Sequence, residues 1–316
     1  MNTIFSIVCP VLNEEGHIGK VIEDFLAYCP QPSELFIADG GSVDRTREVV
    51  GRWLRIHHNI FLVENPDKYV SHAFNRCFEI SKGKYLALLG AHSEYSPMFF
   101  KSALANLESS KCDAVGGPLI HTAKTATGKA IAYGMSTKFG VGGTEFRTSS
   151  ARQYVDSVAF AFYRREVFEK IGLFDEQLIR NQDDEFHYRM NAAGLKILMV
   201  PEMQCNYFVR ETIAGLFRQY YQYGLFKPLV LKKVNSGVRL RHLVPAFFVI
   251  YLIGILPLFI VAGWVALLPL LLYFVLALYF CDRTQSRTAM LRSFFVFPVL
   301  HVSYGFGFLV GLGKLI

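Results

Sequence analysis

No two cysteines in this chain of 316 residues are spaced C-x-x-C. The six that occur, Cys9, Cys29, Cys77, Cys112, Cys205 and Cys281, are scattered, which argues against both a zinc site and a disulfide framework. Reduced thiols in a cytosol-facing domain fit this pattern better. The N-terminus has no basic segment followed by a long apolar run, so no cleaved signal peptide is expected and the N-terminal part stays where it is made. No nucleic-acid recognition motif accompanies the net charge of +7, so nucleic acid is set aside as a partner. The same charge suits an anionic membrane surface. Long hydrophobic runs are also missing before Leu243, where the composition changes sharply.

Before that point the chain reads as an α/β protein. Three short apolar runs, 4–9, 34–38 and 84–89, are each followed by polar turn residues and a helix-like stretch. This alternation predicts βαβ units and a largely parallel sheet. Ligands bind such sheets at the carboxyl ends of the strands, which singles out 10–15, 39–44 and 90–94. Between Gly116 and Asp156, Gly and Thr abound without helical periodicity, and loops and hairpins are expected.

Segment 212–233 interleaves Phe217, Tyr220, Tyr221, Tyr223 and Phe226 with Arg218, Lys227, Lys232 and Lys233. It reads as an interfacial helix lying on membrane lipids, a core-packed helix being the alternative. Stretches 243–263 and 264–281 are nearly uncharged and predict two membrane spans, the second short. A third stretch, 294–312, carries Pro298 and His301 and either crosses or re-enters; crossing is the expectation. Lys227, Lys232, Lys233, Arg239 and Arg241 precede the first span, and Arg283, Arg287 and Arg292 follow the second. The positive-inside rule then puts the large domain in the cytoplasm, anchored in the inner membrane. The expected boundaries are an α/β domain over 1–210, an interfacial region over 211–242 and a transmembrane region over 243–316.

Two turns carry the first chemical signal. Pro10-Val-Leu-Asn-Glu-Glu15 offers a carboxamide and carboxylates that hydrogen-bond a nucleobase or ribose, or simply cap the next helix. In Asp39-Gly-Gly-Ser-Val-Asp44, Asp39 suits a base N–H or ribose hydroxyl, and the glycines let backbone approach a ligand. Asp44 is a ligand contact or a cap.

Together these turns resemble the inverting glycosyltransferases of family 2, and the later motifs resemble the membrane-anchored succinoglycan-type glucosyltransferases of exopolysaccharide assembly. The resemblance extends over nearly the whole chain. It implies a GT-A fold, with a Rossmann-like mixed but mainly parallel sheet, followed by transmembrane helices. It places the donor nucleotide on Pro10, Val11, Asn13, Glu14, Asp39, Ser42, Asn75 and Ala91. The implied donor is a UDP-sugar, UDP-glucose first. The implied acceptor is a glycan on a polyprenyl diphosphate.

The family's next landmark is Asp-x-Asp, or Asp-Ala-His in this subgroup, which holds a divalent metal on the donor diphosphate. Here it reads Gly90-Ala91-His92, so the first carboxylate is missing. The resemblance leaves Mn²⁺ or Mg²⁺ on His92, and imidazole suits Mn²⁺ better. Glu94 is a possible substitute carboxylate, and a lone histidine after a strand is often merely structural.

The last landmark is Asn181-Gln-Asp-Asp-Glu-Phe-His-Tyr-Arg189. By resemblance Asp183 is the general base that takes the acceptor's proton, with Asp184 as the alternative. Asp184 or Glu185 would raise the base's proton affinity, and Arg189 pairs with these acids. An acidic helix start also complements the helix dipole without any catalytic role. Arg147 contacts a lipid-borne phosphate or sugar, or is a surface residue. Arg210 and Lys227 are candidates for the diphosphate. Gln219 matches the Gln-x-x-Arg-Trp of processive relatives, but Gln222 replaces the arginine and argues for single transfer. The alternatives are a polyprenyl-phosphate sugar synthase and a non-catalytic membrane scaffold.

Overall fold

The computed structural model describes residues 3–109, 111–234, 239–283 and 286–315. From the N-terminus the chain alternates β1 (Phe5–Val11), α1 (Ile18–Tyr28), β2 (Glu34–Asp39), α2 (Thr46–Leu54), β3 (Ile60–Glu64), α3 (Val70–Ile80) and β4 (Tyr85–Leu88). Ile18, Val21, Ile22 and Phe25 recur at helical spacing and are buried, so α1 turns one apolar stripe to the sheet. The strand β2 is buried along its whole length, as befits an inner strand covered on both faces.

The chain continues through β5 (Ser93–Tyr95), α4 (Pro97–Glu108), β6 (Ala114–Gly117), β7 (Leu119–Thr122), α5 (Ala126–Met135), α6 (Lys138–Val141) and α7 (Glu145–Thr148). Next come β8 (Gln153–Val155), β9 (Ala159–Arg164), α8 (Arg165–Ile171), α9 (Gln182–Ala192), β10 (Ile197–Met199) and β11 (Cys205–Phe208). The remainder is α10 (Ile213–Val234), α11 (Leu240–Ala262), α12 (Leu268–Tyr279) and α13 (Arg287–Gly313).

The main sheet has the order β3-β2-β1-β4-β9-β6-β10-β8. Its β3, β2, β1 and β4 run parallel, as do β6 and β10, while β9 and β8 are antiparallel to their neighbours. The mixed, mainly parallel sheet is therefore present as expected. A second sheet has the order β5-β11-β7.

Two compact units divide the chain, and their boundaries differ from those read in the sequence. One comprises residues 1–120 and 149–208, the other 121–148 and 209–316. Segment 121–148 therefore leaves the α/β unit and packs with the C-terminal helices. Nor is it made of loops and hairpins: α5 is a ten-residue helix whose Thr125 hydroxyl caps the Gly128 amide. Its glycines are packing residues, since a Cβ at Gly134 would lie 2.6 Å from Val296 on α13.

In the second unit, one face of α10 lies against α13. A Cβ at Gly224, Gly307 or Gly311 would come within about 2.2 Å of a backbone carbonyl on the opposite helix, so these glycines permit near contact of the two backbones. The core-packed reading of 212–233 thus holds for that face, while Phe217 and Arg218 stay exposed.

Among the described residues, two segments are long and apolar enough to cross a membrane, Leu240–Tyr279 and Arg287–Gly313. The sequence suggested three spans. The first of the two segments holds both α11 and α12, the latter being the short second stretch of the sequence reading, whose 12 residues rise only about 18 Å against a hydrocarbon core of about 30 Å. It folds back on α11, with Phe248 stacked on Tyr273 at 4.4 Å. Exposed Ile253, Leu256, Ile260, Val261 and Trp264 give this hairpin an apolar outer surface. The stretch around Pro298 is a single continuous helix of 27 residues.

Candidate active site

The first two parallel strands end side by side. In register, Pro10 pairs with Ala38 and Val11 with Asp39, and the Gly40 amide donates to the Val11 carbonyl at 2.9 Å. The turns that follow are latched reciprocally. The Asn13 amide donates to Ser42 Oγ, and the Val43 amide to Asn13 Oδ1, both at 2.9 Å. Asn13 takes a left-handed φ of 57°, a conformation asparagine tolerates better than most residues. The Glu14 amide donates to Thr46 Oγ1 at 2.7 Å and the Glu15 amide to Asp44 Oδ2 at 3.1 Å. Asp44 also accepts from the Thr46 amide and hydroxyl, so its carboxylate serves the latch and the start of α2.

Asp39 is fully buried at the centre of this arrangement. Its carboxylate accepts from the Ser42 amide and hydroxyl and faces Arg47 Nε at 3.2 Å. Arg47 also pairs with Glu64 at the end of β3.

The turn after β4 brings His92 to Glu14. Glu14 Oε2 lies 2.7 Å from Nδ1 of His92 and 3.4 Å from Nδ1 of His17, and the two imidazoles meet edge to face at 5.5 Å. Ala91 is buried beside them in sequence. The Tyr95 hydroxyl accepts from the Gly90 amide at 2.9 Å and donates to the Gly90 carbonyl at 3.0 Å, which fixes this turn. Burial pushes the Tyr95 phenol well above its ordinary range, so it keeps the proton it donates. Glu94 points instead to Asn206, whose amide donates to it at 3.3 Å across the β5–β11 pair.

The acidic helix α9 begins at Gln182 after Asn181, whose φ is 63°. Of its three acids, Glu185 is buried and held by Arg189 in a two-pronged pair at 2.7 and 3.0 Å. Arg189 also donates to the carbonyls of Ile171 and Leu173. Asp183 and Asp184 are half-buried. His187, one turn on, is fully buried between Ser157 Oγ at 3.0 Å and Tyr163 Oη at 2.9 Å. Burial pushes its imidazole down to about 4, Asp184 opposing, so it is neutral at pH 7.

A chain of contacts runs from the nucleotide-type turns to α9. The backbone of Lys68 lies against Gly40, and the Asn65 amide donates to the Asp39 carbonyl at 2.8 Å. Three residues beyond Lys68, the Ser71 hydroxyl donates to the Leu178 carbonyl at 3.5 Å, in the segment that leads into α9. Asn75, one turn further along α3, clamps the same segment. Its amide donates to the Phe174 carbonyl and to Glu176, and its oxygen accepts from the Phe174 amide. The start of α9 therefore belongs to the end of the sheet where β1 and β2 terminate.

A family model described as glycosyl transferase family 2 matches residues 6–172. The chain belongs to glycosyl transferase family 2. It is 30% identical over 266 residues to the succinoglycan biosynthesis protein ExoA of Rhizobium meliloti, covering 83% of this chain and 80% of that protein. It is 25% identical over 324 residues to the dolichyl N-acetyl-α-D-glucosaminyl phosphate 3-β-D-2,3-diacetamido-2,3-dideoxy-β-D-glucuronosyltransferase of Methanococcus voltae, covering 99% and 98%. Among solved structures, the mannosyltransferase PcManGT of Pyrobaculum calidifontis, in complex with GDP-Man and Mn²⁺, superposes with a TM-score of 0.59 at 15% identity over 99% of this chain and 87% of that one. GalNAc-T7 with UDP, GalNAc and Mn²⁺ gives 0.52 at 14% identity, over 74% of this chain and 55% of its own. The α/β unit has the GT-A fold, and the protein is a glycosyltransferase.

For this family 2 glycosyltransferase, the residues flagged in the sequence fall into three sets. Pro10, Val11, Asn13, Glu14, Asp39, Ser42, Ala91 and His92 gather around the ends of β1, β2 and β4. Asp183 stands at the start of α9, and Asn75 braces the segment that leads there. Arg147, Arg210, Gln219 and Lys227 belong to the other unit. There Arg147 donates to His121 Nε2 at 2.8 Å, while burial and then Arg147 push His121 down to about 3, keeping it a neutral acceptor. Arg210 is exposed, Gln219 donates to the Tyr223 hydroxyl at 3.1 Å, and Lys227 is buried.

His17 joins the set around Glu14 and His92 although no motif of the sequence reading contains it. Its signal was present, three residues after Glu14 at the start of α1, where a helical turn returns the side chain toward the carboxylate.

Proposed function

We propose that this glycosyltransferase moves one sugar from a nucleotide diphosphate onto a lipid-carried glycan, with inversion at the anomeric carbon. The observation that carries the reading is the presence of an acidic helix start, with Asp183 half-buried, at the same end of the sheet as the latched β1 and β2 turns. In this reading Asn13, Asp39 and Ser42 hold the nucleotide, with Pro10, Val11 and Ala91 as the floor beneath it. The burial and multiple donors of Asp39 keep it a fixed acceptor rather than a mobile one.

Transfer forms a bond between the acceptor oxygen and the anomeric carbon as the carbon–oxygen bond to the diphosphate breaks. Asp183 takes the acceptor's hydroxyl proton, and the nucleoside diphosphate leaves. Asp184 beside it supports the base by like-charge repulsion, whereas Glu185 is already neutralised by Arg189. The nitrogen and oxygen donors His92 and Glu14, 2.7 Å apart, suit a divalent ion of the manganese type. When bound, such an ion offsets the charge that develops on the leaving diphosphate.

The lipid-carried acceptor is supported by the apolar segments Leu240–Tyr279 and Arg287–Gly313 and by the near full-length relative named for a dolichyl phosphate-linked sugar. The cations Arg239, Arg241, Arg283, Arg287 and Arg292 lie at or near the ends of these segments, and by the positive-inside rule they support a cytoplasmic α/β unit anchored in the inner membrane. UDP-glucose is the donor we assign first, from the similarity to the succinoglycan protein.

The test is D183N in membranes, assayed for sugar transfer while nucleotide binding is followed by calorimetry with UDP, GDP and dTDP. Transfer is expected to fall about 10²- to 10⁴-fold with nucleotide binding retained. Undiminished transfer by D183N would refute the assignment of the base. A wild-type protein that binds none of the three nucleotides would favour a scaffold.

A further inference from the structure

The missing carboxylate at position 90 has a structural cause and a structural replacement. A Cβ at Gly90 would lie 2.5 Å from the ring of Phe160, which is held near Tyr95 and Tyr207. No acidic side chain fits there unless that ring moves. A carboxylate arrives instead from the first turn, as Glu14.

Among the described residues, Glu14, His17 and His92 are the one group of three ligand-type side chains whose donor atoms all lie within 4.8 Å of one another. Adjacent ligands of an octahedral ion with bonds of about 2.1 Å sit about 3 Å apart. The observed separations from Glu14 Oε2, 2.7 Å to His92 and 3.4 Å to His17, bracket that value. Two imidazoles and one carboxylate would fill three of the six positions of an octahedral ion and leave three for other ligands.

Each ligand is also anchored through its backbone. The Glu14 amide is held by Thr46, and the Glu14 carbonyl accepts from the amides of His17 and Ile18, both at 3.0 Å. The His92 carbonyl accepts from the Phe208 amide at 3.0 Å. Such anchoring reduces the entropy that binding would otherwise cost.

We propose that Glu14, His17 and His92 form a three-ligand site that takes Mn²⁺ before any nucleotide arrives, His17 being its second imidazole. The inference rests on the reading of His92 as a metal ligand and adds His17 and an order of binding. A metal held by these three residues would keep positions for donor oxygens, and two nitrogen ligands would select against Mg²⁺.

The experiment uses full-length protein in detergent, stripped with chelator and titrated with MnCl₂ alone, by calorimetry and by pulsed electron paramagnetic resonance for ¹⁴N couplings. Wild type is expected to bind one Mn²⁺ with two coupled nitrogens in the absence of nucleotide. H17A is expected to lose one nitrogen and to weaken binding at least 10-fold; H17Q serves as a second variant, and both are checked for an unchanged melting temperature. Mn²⁺ that binds only when UDP is present, or two nitrogens that persist in H17A, overturns the proposal. A single nitrogen lost in H92Q but indifferent to His17 overturns it while leaving His92 as a ligand. No nitrogen coupling with or without nucleotide sinks both.

Discussion

At the scale of single residues, the most informative position is one where a side chain is absent. Gly90 makes room for Phe160, which itself sits at a φ of 48°. Restoring the acid at this site should therefore harm the protein. G90D is expected to lower stability by about 1–3 kcal/mol through overpacking. F160A should relieve part of that cost, so the double variant is more stable than the sum of the single effects predicts. Melting curves for the four proteins check this, and strictly additive losses would mean that the ring is not the obstacle. Asn13, Asp39 and Ser42 were legible because each lies next to its partner turn in a short motif read at a strand end. The Glu14–His17–His92 cluster was not legible as a whole, because one member comes from a separate strand and only the fold brings the three together.

At the scale of elements, α9 joins the proposed base, Asp183, to a pH-sensitive core. Its His187 is fully buried and neutral, with a folded value of about 4 against roughly 6.5 for an exposed imidazole. A folded value below the unfolded one means that the stabilisation is complete above about pH 6.5. It is lost as pH falls toward 4, because the unfolded chain then binds the extra proton. The loss amounts to about 3 kcal/mol at most. H187Q is expected to flatten the decline in melting temperature over that window, and a slope identical to wild type would exclude His187 as the source. The parallel strands were readable as apolar runs with turn residues behind them, but α5 was not. Gly128 and Gly134 look like turn residues in sequence, whereas their small size serves close packing inside the helix. The second predicted stretch shows a related effect, since composition reports apolarity but not where a helix ends, and 264–281 holds a helix of only 12 residues.

At the scale of the whole molecule, the chain passes between its two units three times, after residues 120, 148 and 208. A fragment cut at 208 would keep segment 121–148 without the helices it packs on. Such a fragment is expected to aggregate, whereas one in which 121–148 is replaced by a short Gly-Ser linker should stay monodisperse. Size-exclusion chromatography separates the outcomes, and a well-behaved 1–208 fragment would show that the excursion needs no partner. The same arrangement sets a timetable for synthesis. His301 hydrogen-bonds the Phe139 carbonyl across 162 residues, so at about 5–20 residues per second the ribosome makes the second partner roughly 8–30 s after the first. For that interval the nascent chain carries an apolar surface awaiting its cover, which makes prompt delivery to the bilayer, or shielding by a chaperone, a requirement of the topology itself.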